Sequence, residues 1–292
     1  MSGFSRSPRT LAALSALAAL SSLLSGCSSS GESASGLAGA ETNRSSGPKA
    51  TETAASPQQP TSPPEIGQCR NLAFSDLSLF SNQAKAVPCE NGHTAYTFAV
   101  ERLPDTIAFE GVSIQNKAVQ SEAAQSCSTA YPAFVGGNAP TRALARLTVT
   151  YFLPRQRDFD LGARWVRCDA VALKTAQSLA PLPNDLKGLL DDEKAVAKLG
   201  LCSNGDPGAA GSTLVMCTQP HTFRALAALR LGDDDAPYPG VDATEARGQR
   251  CEDVVRGELG VDGGFTFGWT FPSAADWATG QRFGYCWNKT SK

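Results

Sequence analysis

The sequence predicts an α+β protein of two tandem disulfide-stapled units, each a small, mainly antiparallel sheet packed with one helix. Three observations predict it. Val87-Pro88-Cys89-Glu90-Asn91-Gly92-His93 returns as Val215-Met216-Cys217-Thr218-Gln219-Pro220-His221, keeping Cys-x3-His and using both histidines of the chain. Pro154, Asp158, Phe159, Gly162, Arg164, Trp165 and Cys168 match Pro272, Asp276, Trp277, Gly280, Arg282, Phe283 and Cys286 at a constant offset of 118. Of the nine cysteines, Cys27 stands apart and the others fall four to a unit, at 69, 89, 127 and 168, then at 202, 217, 251 and 286. Self-similarity over such a distance is the mark of a repeated structural unit.

Each element follows from local pattern. Ala95–Val100 and Thr222–Leu226 read as strands after each Cys-x3-His. Ser113–Val135 reads as a helix, because Cys127, Tyr131 and Phe134 fall on one face; Cys251, Val254, Val255 and Leu259 do the same in Ala243–Leu259. Gly136 and Gly260 suit the helix C-termini. Leu147–Phe152 and Phe265–Trp269 are rich in β-branched and aromatic residues and read as strands. The Pro/Asp/Gly stretch after each reads as a long turn, and Trp165–Ala172 and Arg282–Trp287 as the returning strands. The repeats are expected over 66–173 and 201–288. Between them, 174–200 carries a loop at Pro181–Asp185 with a candidate N-cap, then a short apolar-periodic helix.

The first residues carry a different message. Arg6 and Arg9, an uncharged run from Leu11 to Leu24, then Leu24-Ser25-Gly26-Cys27 describe an export signal over 1–26. The apolar run is too short for a membrane span of about 20 residues. Leu-Ser-Gly-Cys looks like a bacterial lipobox, which makes Cys27 the lipidated first residue. Removing 1–26 takes away two arginines and no acid, so the net charge moves from −2 to −4. That charge gives no reason to expect nucleic acid as a partner. Residues 27–65 are rich in Ser, Gly, Ala, Thr and Pro, and are expected to be a disordered tether spanning about 35 Å.

Eight cysteines in an exported protein imply a disulfide framework. Bridges confined to a unit leave three patterns each. First-to-second and third-to-fourth is favoured: Cys69–Cys89, Cys127–Cys168, Cys202–Cys217 and Cys251–Cys286. A Cys2His2 metal site from the two Cys-x3-His motifs is disfavoured, since structural zinc ligands come from one locality and export favours oxidised cysteines. No metal or other cofactor is expected. His93 and His221 are read as structural, bonded to backbone beside a disulfide, with a ligand-facing, pH-responsive role as the alternative. Asp158/Arg164 and Asp276/Arg282 are expected to form ion pairs inside the turns, with Trp165, Trp277 and the other aromatics packing beneath. Gly232-Asp233-Asp234-Asp235 lacks the ligand spacing of a calcium loop. No phosphate loop or zinc-protease motif occurs, and a Ser-His-Asp set would have to use His93 or His221. No catalytic residue is expected.

The Val-Pro-Cys-x3-His element, the Cys-bearing helix and the Pro-x3-Asp-aromatic-x2-Gly-x-Arg ending together resemble the bacterial septum formation domain, twice over. Met216 in place of the motif's proline and Phe159 in place of its tryptophan are departures that leave the cysteines and histidines intact. The resemblance implies an exported or membrane-tethered protein of actinobacteria, connected with the septum or envelope and without established catalytic residues. The expected function is thus a lipid-anchored, extracytoplasmic, non-catalytic protein that binds envelope or division partners. A small-ligand binder or sensor is the alternative, and a wall-polymer hydrolase comes last.

Overall fold

The computed structural model describes residues 2–5, 59–107 and 111–290. Cys27, the export signal beyond residue 5 and most of the tether lie outside the described residues. A short strand, β1 (Ser2–Ser5), comes first. The first half then holds β2 (Cys69–Arg70), β3 (Ala95–Arg102), α1 (Lys117–Val135), α2 (Ala139–Leu144), β4 (Leu147–Phe152), α3 (Gln156–Asp160), β5 (Trp165–Leu173) and β6 (Leu179–Ala180). Next come α4 (Glu193–Leu199), β7 (Leu201–Ser203), β8 (Leu214–Met216), β9 (Phe223–Arg230), α5 (Val241–Gly248), α6 (Cys251–Leu259), β10 (Thr266–Thr270), α7 (Ala274–Ala278) and β11 (Phe283–Lys289).

The first sheet has the order β2-β3-β5-β4, and β6 also pairs with β5. The second contains β10-β11-β9-β7-β8, with β1 added in parallel on the outer edge of β10. All other pairings are antiparallel. The path β2-β3-β5-β4 thus has the same order as β7-β9-β11-β10. Both sheets belong to one compact unit.

Alternation along β5 explains how the first sheet is covered on both faces. Val166, Cys168, Ala170 and Ala172 share a core with Val119, Ala123, Cys127, Tyr131 and Val135, the buried face of α1. Val171 instead joins Leu72, Ala95 and Phe152, closed over by Leu77 and Ala84. Arg167 and Asp169 alternate onto this second face. The side chain of Asn116 accepts from the amide of Ala118 to start α1, and Gly136, at φ 76°, ends it.

Two expectations need correcting. The proposed helix over 243–259 is broken after Gly248 into α5 and α6. Gly248 lies against the Trp269 ring, which a Cβ there would overlap, as it would at Gly284 on the neighbouring strand. Trp269 is 1% exposed and donates its indole N–H to the carbonyl of Thr244 at 3.1 Å. Glycine at both places is what gives the ring its slot. Gly284→Ala is therefore expected to lower stability by about 1–3 kcal/mol through overpacking, to be read from a chemical-denaturation midpoint; an unchanged midpoint would contradict this packing.

The second correction concerns the Pro/Asp/Gly stretches, which hold the short helices α3 and α7 and are not plain turns. In α7, Ser273 and Asp276 form a capping box: Asp276 accepts from the Ser273 amide and hydroxyl, while Ser273 Oγ accepts from the Asp276 amide. Ser-x-x-Asp carries that signal in the sequence, with Asp in place of the commoner Glu. Likewise the cap of the connecting helix α4 is Asp192, outside the Pro181–Asp185 loop that carries the candidate N-cap.

The halves meet through α2 and the segment joining them. Leu144 packs with Leu201, Phe223, Ala225 and Trp287 on the second sheet. Arg146 bridges the joint, its guanidinium donating to the carbonyls of Leu173, Thr175 and Leu214.

Candidate functional site

Four disulfides hold the fold: Cys69–Cys89, Cys127–Cys168, Cys202–Cys217 and Cys251–Cys286. The second and fourth each tie a helix, α1 or α6, to the central strand of its sheet, and all four of their cysteines are fully buried. In the first and third, Cys69 and Cys202 are buried, while Cys89 and Cys217 are partly exposed.

Both histidines sit beside these half-exposed bridges and are themselves buried. His93 is 2% exposed, with Nδ1 3.0 Å from the carbonyl oxygen of Cys89. His221 is 6% exposed, with Nδ1 2.7 Å from the carbonyl of Gln219. A carbonyl only accepts, so in each ring Nδ1 carries a hydrogen, and in the neutral imidazole the lone pair is then on Nε2. His93 Nε2 has no hydrogen-bond partner. Neither imidazole is solvent-facing, but His221 borders a cavity.

That cavity, of about 910 Å3, opens beside the third disulfide. α4 contributes Lys198, the approach to β9 contributes His221, β9 itself Arg224, and β11 Lys289. Leu259, Val261 and Phe265 form its apolar wall, and among the described residues no Asp or Glu lines it. Asn288 Oδ1 and Thr290 Oγ1, at its margin, are buried without hydrogen-bond partners. A cationic hollow of this kind in a chain of net negative charge favours an anionic occupant. A second cavity of about 690 Å3 also borders α4, against Pro181, Leu189, Leu199 and Met216.

The paired acids and arginines are not ion-paired with each other. Buried Asp158 pairs with Arg155 at 3.0 Å and accepts from the amide of Thr61 at 3.1 Å. These bonds hold its carboxyl below the ordinary range, although burial opposes them. Thr61 also accepts from the Trp165 indole at 3.4 Å, so the end of the expected tether docks on the first half. Asp276 serves the α7 cap. The arginines lie over aromatic faces, Arg164 over Phe159 and Arg282 over Trp277, each 4.4 Å from the ring centroid. Arg164 donates to the carbonyl of Phe159, and Arg282 to that of Trp277. Arg282 also donates to the Asp233 and Asp234 carbonyls, which makes the acidic loop an arginine clamp. Trp277 is buried, with its N–H on the Ala236 carbonyl at 2.8 Å. The motif residues therefore shape loops, and the reason is local: a short helix turns each acid toward its own N-terminus.

Sequence reasoning missed a buried polar cluster on the second face of the first sheet. Arg167 and Asp169 form an ion pair at 2.9 Å with side chains 3% and 0% exposed. Asp169 also accepts from Thr97 Oγ1 at 2.7 Å, and Thr97 accepts from Arg70 at 2.6 Å. Arg167 lies over the Phe152 ring. Burial lowers both guanidinium pKa values and raises that of Asp169, against the opposing pull of the two arginines on the carboxyl. The available signal was the Arg-x-Asp spacing within β5, which places both on one face.

No helix among the described residues is long and apolar enough to cross a membrane. Neither the curated proteins nor the solved structures contain a match to this chain. One family match, described as septum formation, runs continuously from residue 66 to 286, through both sheets and all four disulfides. The chain therefore belongs to the septum formation family.

Proposed function

We propose that this chain is a lipid-anchored, extracytoplasmic, non-catalytic protein that acts in septum formation or envelope organisation by binding an anionic envelope partner. The observation that carries the reading is the cavity at His221, where Lys198, Arg224 and Lys289 gather with no acidic residue among the described lining. The family supports the cellular role. Four disulfides suit an oxidising compartment, and the Leu-Ser-Gly-Cys sequence suits a lipid on Cys27. The two halves are copies of one duplicated unit in this reading, supported by the constant offset of their motifs and by the shared strand order.

Localisation of a fluorescently tagged full-length protein in dividing cells tests the proposal. The expected result is concentration at the septum. Cys27→Ala is expected to leave the membrane fraction, and Arg224→Ala/Lys289→Ala to stay membrane-bound but spread evenly. An even signal for the unaltered protein would favour the second reading, an extracytoplasmic small-ligand binder. That reading draws on the more apolar cavity beside α4, and a ligand-dependent rise in melting temperature would support it. Tight membrane attachment of Cys27→Ala would rule out the anchor.

A further inference from the structure

Among the described residues, one group of three side chains has the makings of a metal site: Cys69, Cys89 and His93, whose ligand atoms all lie within 4.8 Å of one another. In the oxidised protein the two sulfurs are bonded to each other. The imidazole beside them is unusual in what it leaves undone. Its Nδ1–H donates to the Cys89 carbonyl, which fixes the tautomer and leaves the Nε2 lone pair without a partner in a buried site. An unsatisfied buried polar atom costs about 1–3 kcal/mol. Metal-binding histidines are held in this way, with the other ring nitrogen donating to a backbone carbonyl or carboxylate. No equivalent group forms at His221, although the Cys-x3-His spacing there is the same.

The bridge is also reachable. Cys69 is fully buried, but Cys89 is partly exposed, unlike the helix-to-strand bridges, in which both cysteines are buried. An incoming thiolate can therefore attack Cys89 Sγ.

We infer that Cys69, Cys89 and His93 form a redox-gated metal site, a disulfide when oxidised and a Cys2His site for Zn2+ when reduced by a dithiol. In the reduction, one thiolate of the dithiol bonds to Cys89 Sγ and releases Cys69 as thiolate. The second thiol of the reductant then displaces Cys89 and closes the reductant's own disulfide. Two electrons and two protons pass to the protein. Zn2+ binding releases the two protons and takes the Nε2 lone pair. Tetrahedral zinc with ordinary bond lengths needs sulfurs about 3.8 Å apart and sulfur–nitrogen spacings of about 3.5 Å. The ligand atoms already lie within 4.8 Å of one another, and to reach this spacing the bonded sulfurs must part and the imidazole must close on them. Three protein ligands leave the fourth position to water or an exchangeable ligand.

The test uses the purified full chain, reduced anaerobically with a limited dose of a dithiol, desalted, and titrated with Zn2+ alone. Native mass spectrometry counts bound zinc, Co2+ absorption reports thiolate ligands in tetrahedral geometry, and alkylation mapping reports which cysteines are free. The expected result is one zinc per reduced chain and none at this site in the oxidised chain. Zn2+ should protect Cys69 and Cys89 from alkylation while Cys127 and Cys168 stay bridged. His93→Gln should weaken zinc binding by more than the roughly 10–100-fold that loss of an outer-shell partner costs. Cys89→Ser should abolish the Co2+ thiolate band. Alkylation of Cys127 and Cys168 in the same samples would reveal a variant that has unfolded, so loss of folding is not mistaken for loss of a ligand. Failure of the reduced chain to take up zinc would overturn the inference. So would zinc binding that His93→Gln leaves unchanged, or global unfolding on reduction of this bridge.

Discussion

Replacing Asp169 with alanine is expected to destabilise the protein by about 3–5 kcal/mol, the range for removing one partner of a buried ion pair. The carboxylate is 0% exposed and, among the described residues, is the one acid paired with Arg167, whose side chain is 3% exposed. Taking it away leaves the Arg167 guanidinium in the core without its counter-charge and leaves the Thr97 hydroxyl, which itself accepts from Arg70, without its acceptor. The cost comes from the uncompensated charge, more than from the lost attraction. Asp169→Asn, which keeps an acceptor of the same shape, is expected to cost less. Replacing Arg167 and Asp169 together by methionine and leucine is expected to recover part of the loss, because the Arg167 charge is then no longer stranded and only Arg70, 5% exposed, loses its nearby carboxylate. Urea unfolding of the three variants checks this ordering. A double variant less stable than Asp169→Ala would show that the ion pair itself, and not the stranded charge, sets the energy.

The second large effect is expected at the helix-to-strand disulfides. Cys168→Ser or Cys286→Ser opens loops of 41 and 35 residues. Cys89→Ser and Cys217→Ser open loops of 20 and 15. On the chain-entropy argument the wide loops are worth about 4 kcal/mol each and the narrow ones about 3 kcal/mol. Burial widens the difference. A serine hydroxyl at 168 or 286 replaces a sulfur at 0% exposure, where an unpaired polar group adds to the cost. Cys168→Ser and Cys286→Ser should therefore accumulate poorly and melt well below Cys89→Ser and Cys217→Ser. Wild-type-like melting of the first two would mean that packing of α1 and α6 on their sheets suffices without the bridges.

Much of the framework was legible because its signals are local and periodic. β4 coincides with Leu147–Phe152, as its β-branched and aromatic run indicates, and α1 ends where Gly136 stands. The cysteine spacing carried similar weight, since a helical cysteine and a strand cysteine mark the two elements that must touch. α3 and α7 were less legible, because a helix of five residues has too few turns to show a period. The pairing of Asp158 with Arg155, and not Arg164, follows from the turn of α3, which the constant motif does not display.

The sequence by itself determined the α+β class, the order of most elements and the places where helices stop, since these depend on neighbours a few residues away. It also placed the chain in its family. Only the tertiary structure decided that the second face of the first sheet is covered, which turns Arg167, Asp169 and Arg70 from surface charges into a buried cluster. It likewise decided that Trp269 fits between Gly248 and Gly284 and that Lys198, His221, Arg224 and Lys289 share one cavity. It brought the unpartnered nitrogen of His93 beside the first disulfide. The physical reason is common to all four: burial, charge and ligand geometry depend on which distant segments pack together, and alternation along one strand cannot say what lies across from it.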